Sequence, residues 1–381
     1  MVGDYEIEDH FFKKLFNSFL NQYHMENPKF KSVAYEIDIY NTLRKRVKRN
    51  LAGKQLKYGG VSFWLKGLCW LLVTYISYTL LFQTDNGLLF WIYYVLFQMA
   101  GLLVGFSFGH DASHNTAFKN KKANQVLHFF SFLTFGIDPL LWGLRHIRSP
   151  HLYANVEGSD IDIDKNPFLR LAPSHPWTKK HAIQHIYAPF VYMLALVYSV
   201  FMGDWIYLFS KDYKWMRSGV SKNEMLIRFF LFKIVYFSLV LALPLLYSNF
   251  SISFVVITYL SSSAFTSLLF VVMLVGTHFF DEAEYYEADE NGLESSWAVH
   301  QLKTSCDWNP NNAFARFLSG GSNCHAAHHL FPNICHTNYH KINSIIEEIT
   351  KEYGLPYHKK SLFAMMKSHF KHLKRMGKLY Y

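Results

Sequence analysis

The sequence predicts an all-α polytopic membrane protein, with four transmembrane helices and a helical cytosolic cap that carries a dimetal site. Three observations predict it. Hydrophobic residues make up 51% of the 381 and charged residues only 17%, the balance of a chain that lives in a bilayer. Four apolar runs are each long enough to cross a hydrocarbon layer of about 30 Å. Histidines recur in pairs and a triple just beyond the ends of such runs.

The net charge of +10 has to be read by position. Lys and Arg crowd residues 13–57, 119–180, 211–222 and 303–378, whereas the connections 84–87 and 247–251 hold none. By the positive-inside tendency the basic segments are cytosolic and the two short loops face the other side. Because the basic residues flank membrane spans, the charge points to lipid headgroups, with no nucleic-acid partner. Cys69, Cys306, Cys324 and Cys335 lack C-x-x-C spacing and read as reduced thiols. No charged-then-apolar leader precedes residue 60, so insertion is expected to rely on the first span.

Residues 1–62 read as a cytosolic amphipathic region. Phe12, Leu15, Phe16, Phe19 and Leu20 line one face of a helix over 5–24, and 36–50 repeats the pattern with a basic face. Residues 63–336 form the membrane domain, with spans at about 63–83, 88–108, 228–247 and 252–276. Lys66 is placed to snorkel to the cytosolic edge. In the second span Gly101, Gly105 and Gly109 repeat every four residues, which lets another helix approach closely. The apolar run 187–209 contains Pro189 and Asp204, and a crossing there would put Lys211, Lys214, Arg217 and Lys222 on the far side. It is therefore expected to lie horizontal or re-entrant. Residues 337–381 read as cytosolic helices, one with an apolar stripe of Ile342, Ile345, Ile346 and Ile349 before Gly354, the next opening at Ser361 and running through Met366, Phe370 and Leu373.

The candidate site is built from histidine. His110 and His114, four apart, share a helical face at the cytosolic end of the second span, and His325, His328 and His329 do so at offsets zero, three and four. His146 and His151 form another pair, and His278 follows the last span. Eight imidazoles exceed what one ion needs, so two metals are expected; a site of imidazoles alone admits iron, zinc, copper or nickel. Two redox-active metals beside an apolar interior point to oxidation of a lipid by dioxygen. A two-zinc hydrolase is the alternative, with Asp111, Asp160, Asp162 or Asp164 supplying its carboxylate. His300 reads as a hydrogen-bonding neighbour of the site, and His181, His185, His336 and His340 as surface residues. The acidic run 281–294 reads as a solvated loop or a docking segment.

The order of His110-x-x-x-His114 after a span pair, a second box at His146–His151, then Trp297-Ala-Val-His-Gln-Leu-Lys-Thr-Ser305 and Gly320-Gly-Ser-Asn-Cys-His-Ala-Ala-His-His-Leu-Phe-Pro-Asn333 strongly resembles the membrane fatty acid desaturases, the histidine-box di-iron family. The likeness runs over about residues 60–350 and is strongest to the bacterial acyl-CoA or linoleoyl-CoA-type branch. It implies two irons held by His110, His114, His146, His151, His278, His325, His328 and His329, dioxygen as co-substrate, and a tunnel for the acyl chain of an acyl-CoA, acyl-lipid or acyl carrier protein. With no haem-binding His-Pro-Gly-Gly stretch, electrons are expected from a separate donor such as a b-type cytochrome or ferredoxin. The family's second box ends in two adjacent histidines, and here the first of the two is Pro150. Proline offers no ligand atom; with Ser149 as cap it would make His151 start a new helical turn. Desaturation is the implied reaction, with hydroxylation, acetylene formation or a catalytically silent lipid-binding protein as alternatives on the same scaffold.

Overall fold

The computed structural model describes residues 28–51, 57–209, 220–287 and 292–379; the amphipathic segment expected over 5–24 lies outside them. Among the described residues four helices are long and apolar enough to cross a membrane: Val61–Leu81, Gly87–Ser113, Lys222–Tyr247 and Ile252–His278. Each of the last three starts on a side-chain cap. Asn86 accepts the amides of Leu88 and Leu89, Ser221 that of Glu224, and Ser251 that of Phe254. Such caps explain why the third helix begins at Lys222, earlier than its apolar run. The two short loops meet at one end of the bundle, where Asn249 Nδ2 donates to Asp85 Oδ1 at 2.7 Å.

The glycine stripe of the second span does receive a neighbour. Helix Lys121–Phe132 and the turn after it lie against it, so that a Cβ at Gly101 would overlap Thr134, one at Gly105 would come within 2.5 Å of the Phe135 ring, and one at Gly109 within 2.7 Å of Phe132. Close approach here sets the wall of the site described below. The apolar run near residue 200 does not cross straight: helices Lys179–Tyr192 and Ala195–Phe209 meet at an angle of 72°, the geometry of a broken span or of a re-entrant loop.

A buried ion pair fastens that element to the third span. Lys233 Nζ donates to Asp204 Oδ2 at 2.7 Å and to the carbonyls of Gly136 at 2.9 Å and Val200 at 3.2 Å. Asp204 Oδ2 also accepts the Asp138 amide at 2.8 Å. Both partners are buried. Lys66 differs from expectation. It is not directed to the membrane edge but buried, its ammonium donating to the Arg316 carbonyl at 2.9 Å and lying 3.0 Å from His336 Nε2, because the cap brings acceptors to it.

The cap packs helix Ala34–Asn50, through Ile39, Leu43 and Val47, against Ile342, Ile345, Ile346 and Ile349 of helix Tyr339–Tyr353. An exposed Arg46–Glu352 pair at 2.6 Å borders this core and contributes about 1 kcal/mol or less. Ser361 caps the last helix, Leu362–Met376, whose Met365 lies against Gly276 of the fourth span. Two short parallel strands, Cys306–Trp308 and His358–Lys360, pair Cys306 with His358 and tie this helix to the cap. All four cysteines are free thiols, as expected.

Candidate metal centre

Four pieces of chain deliver the histidines to one place. The second span supplies His110 and His114 around the turn His110–Ser113, their rings 5.1 Å apart. The second pair comes from helix Pro139–Arg148, which begins well: Asp138 accepts the Leu141 amide at 2.9 Å and proline occupies the first turn. His146, in its last turn, stacks on Trp142 at 4.6 Å and 12°. The helix breaks at Ser149, and Pro150 opens a new turn, Pro150–Tyr153. The break swings His151 back until its Nε2 is 3.2 Å from that of His146. Ser149 does not cap this turn with its side chain; its hydroxyl donates to Asp160 Oδ1 at 3.1 Å and accepts the Ile161 amide at 2.7 Å.

The third group depends on Gly320 and Gly321, at φ 57° and 92°. A Cβ on Gly320 would overlap the Phe106 carbonyl, so only glycine lets this loop lie on the second span in that conformation. Helix His325–Leu330 then starts on the Ala326 amide, which donates to Asp307 Oδ1 at 2.9 Å. His278 ends the fourth span beside it.

The eight imidazoles converge. Their ligand atoms form three sets whose members all lie within 4.8 Å of one another: His110, His114, His146 and His328; His151, His328 and His329; His278, His325 and His329. The Nε2 atoms face inward, with His110 3.3 Å from His328, His278 3.2 Å from His329, and His325 2.8 Å from His278 and 3.1 Å from His329. Burial first, and neighbouring imidazoles second, hold His114, His146, His151, His325, His328 and His329 well below the ordinary imidazole range. These rings are neutral, the form that binds metals.

Hydrogen bonds on the outer nitrogens fix which inner nitrogen is bare. His278 Nδ1 is 2.8 Å from the Thr304 carbonyl and must carry its proton to donate there, which leaves Nε2 with a lone pair. His329 Nδ1 is 2.6 Å from Gln301 Oε1. The amide is oriented by its own nitrogen, which faces the carbonyls of His151 and Leu152, each at 3.4 Å. Hence His329 Nε2 is bare as well. Two lone pairs aimed at each other 3.2 Å apart in a buried site repel unless a cation lies between them, so the donor set fits a metal. A fourth set among the described residues, Asp111, Cys335 and His336, shares no member with the three imidazole sets. Asp111 is engaged elsewhere, accepting from His336 Nδ1 at 2.7 Å and Cys335 Sγ at 3.1 Å.

An apolar cavity of about 290 Å³ leads away from the imidazoles between the second and fourth spans, past Leu102, Phe106, Phe270 and Leu274. Arg145 and Asp162 line its polar part.

His300 is a buried hydrogen-bonding residue outside the imidazole cluster, its Nε2 donating to the Ala154 carbonyl at 2.8 Å. Two other histidines stand apart from their sequence reading. His336 and His181 are buried, not on the surface, the first between Asp111 and Lys66. The sequence reading passed over Gln301, next to His300 in the same Trp-Ala-Val-His-Gln stretch. Its signal was its place at i+1 of a histidine on a short helix, where a neutral amide in an otherwise apolar segment has to find partners.

The sequence profile described as fatty acid desaturase matches residues 85–361. The chain belongs to the fatty acid desaturase family. It is similar to the sn-1 linoleoyl-lipid 6-desaturase of Synechocystis sp., at 30% identity over 74% of this chain and 79% of that one. The acyl-lipid (8-3)-desaturase B of Dictyostelium discoideum is 28% identical over 92% of this chain and 78% of its own length. For the acyl-lipid (8-3)-desaturase of Physcomitrium patens the figures are 28%, 79% and 63%, so the chain spans under two thirds of that relative. The family resemblance of the histidine boxes is thereby borne out. With its four apolar helices, this desaturase-family chain is an integral membrane protein of a family of fatty acyl oxidoreductases.

Proposed function

We propose that this protein is a non-haem di-iron desaturase that introduces a double bond into a lipid-linked fatty acyl chain. The observation that carries the reading is the convergence of eight neutral imidazoles, six of them buried and His114 and His146 partly so, beside an apolar cavity. His110, His114, His146 and His328 would hold one iron, and His278, His325 and His329 the other, with His151 between them. Iron supplies the activation of dioxygen that removal of hydrogen from an unactivated methylene requires. The reaction balances as loss of two hydrogens from adjacent methylenes, with dioxygen, two electrons and two protons giving two waters. The chain's own residues bind and exclude: Leu102, Phe106, Phe270 and Leu274 desolvate the acyl chain and hold one methylene pair beside the imidazoles. A lipid-linked substrate follows the names of the relatives, acyl-lipid and linoleoyl-lipid desaturases. Electrons come from a separate carrier such as a b-type cytochrome or ferredoxin.

Basic residues flank the imidazole end of the bundle, and the loops at Asp85 and Asn249 carry none, so the site faces the cytosol. The test is expression in a host of known lipid composition, with product analysis and metal determination on the purified protein. New monounsaturated or further unsaturated acyl chains with bound iron are expected; hydroxylated chains, or no change with iron bound, would overturn the reading. Single cysteines at Asn86 and Asn249 should label from the side opposite the cytosol. Labelling of both from the cytosol would reverse the orientation.

A further inference from the structure

One side chain of the cavity beside the imidazoles, that of Phe135, also borders a second space. That space is a much smaller cavity of about 10 Å³, room for about one water, lined by Gln98, Leu196, Val200, Tyr236, Tyr259 and Ser263. Among the lining residues of the two, Phe135 alone belongs to both. Its ring is the partition. The two sides differ in chemistry: apolar on the imidazole side, and beyond the ring a polar pair of contacts, Ser263 Oγ donating to Gln98 Oε1 at 3.1 Å and the Tyr236 and Tyr259 hydroxyls 2.9 Å apart.

The ring is held against movement from both sides. Gly105 of the second span has no side chain, and the edge of the ring occupies the space where a Cβ would be, 2.5 Å away. The next residue, Gly136, has φ 76° and lies so close on the Tyr236 ring that a Cβ there would overlap it. The Gly136 carbonyl accepts from Lys233, and the Asp138 amide donates to Asp204, so both ends of the buried ion pair grip the turn that presents Phe135. A wall fixed by packing and by a buried ion pair does not swing as a gate does.

We propose that Phe135 is the specificity-determining residue that sets the longest acyl chain the site accepts, as a fixed wall against which the methyl end stops. The proposal rests on the acyl-chain reading above. The polar part of the cavity, at Arg145 and Asp162, suits the head end of the substrate, which leaves the apolar part at Phe135 for the methyl. Removing the ring joins the cavities. Interiors are close-packed, so the volume of a phenyl ring is taken up by about two to four further methylenes. Gly105 lines the same cavity beside the ring, so a Cβ there takes up space at that end and acts the opposite way.

The test compares wild type, Phe135→Ala and Gly105→Ala as full-length membrane protein in a host fed equal amounts of saturated and monounsaturated chains of 14 to 20 carbons. Two readouts are taken: unsaturated products, and the acyl chains that co-purify with the protein, measured by mass spectrometry. Phe135→Ala should raise the ratio of long to short chains at least about tenfold in both readouts, since one methylene that fits or does not fit is worth about that factor. Gly105→Ala should lower it. Phe135→Leu, a smaller change of volume, stands in where the alanine variant does not accumulate, with a shift in the same direction. Product formation with an unchanged chain profile in the phenylalanine variants would overturn the wall and leave the desaturase reading standing. Shifted co-purified chains without unsaturated product from any form would overturn the reading and leave the wall. Absence of any bound acyl chain in wild type overturns both.

Discussion

Replacing Lys233 by Met keeps the length of the side chain and removes its charge and three donated hydrogen bonds. The ammonium is buried, with Asp204, itself buried, at 2.7 Å and two carbonyls within 3.2 Å. Breaking a buried pair by removing one partner costs about 3–5 kcal/mol, because the other charge stays behind. For a chain of this length the unfolding entropy is about 0.8 kcal/mol/K, so the apparent midpoint of thermal unfolding should fall by about 4–6 °C. Asp204→Asn should cost less, about 1–3 kcal/mol, since the amide oxygen still accepts from Asp138 and Lys233 keeps two carbonyls. The double variant should cost less than the sum by about 2–3 kcal/mol, as contacting partners are not additive. The assay is thermal unfolding of the four proteins in one detergent at one scan rate, read by tryptophan fluorescence. Strict additivity, or a Lys233→Met protein that melts with wild type, would refute the claim that this pair holds the turn at Gly136 to the bundle.

Gln301→Leu removes the acceptor that keeps the proton of His329 on Nδ1 and should weaken metal binding by about 10–100-fold, measured by iron retention against a chelator, while Gln301→Glu should retain most of it. Pro150 lines the cavity next to His146 and His151, and with no ligand atom there the iron served by the second box should be the weaker bound; Pro150→His should raise iron per protein, and two tightly held equivalents in both forms would place residue 150 outside the coordination shell. Burial pushes His369 down to about 4 and His372 down to about 3. Below the ordinary imidazole value of about 6.5 the unfolded chain takes up protons that the folded one refuses, so their stability contribution is full above about pH 6.5 and falls by about 1.4 kcal/mol per pH unit per ring down to about pH 4. Thermal unfolding from pH 7 to 4.5 should show this decline, and His369→Gln should flatten it; an equal slope in the variant would sink the assignment.

The four spans and the places of the eight histidines could be read from the chain because hydropathy and helical spacing are local properties. The bounds moved where a cap outlasted the apolar run, as at Ser221, and where the helix carried on through charged or polar residues to Ser113. The fates of Lys66 and His336 could not be read this way. A lysine near a span end reads as a snorkelling one, and only the cap folding over the second span brings His336 and the Arg316 carbonyl to it. Gln301 was hidden for the same reason, since its partner His329 lies 28 residues on and its other contacts come from the second box. The effect of Pro150 was half legible: the new turn could be expected from proline, but not that the preceding break would bring His151 back onto His146.

The wide turn at Gly105–Gly109, a π segment inserted immediately before His110, bears on how this architecture tolerates change. One surplus residue in a helix, at about 100° per residue, rotates everything after it by that angle without altering the apolar length of the run. A second such turn, Ser199–Gly203, precedes Asp204. In both places the direction of a polar side chain is thus set independently of how deep in the bundle its helix reaches. Deleting a single residue from either segment would leave hydropathy and span length almost untouched, yet would turn His110 and His114, or Asp204, through about a quarter of a revolution. Helical phase, not the identity of the imidazoles, is then what an insertion or deletion in this stretch puts at risk, and two chains with identical boxes could differ entirely in whether those boxes meet.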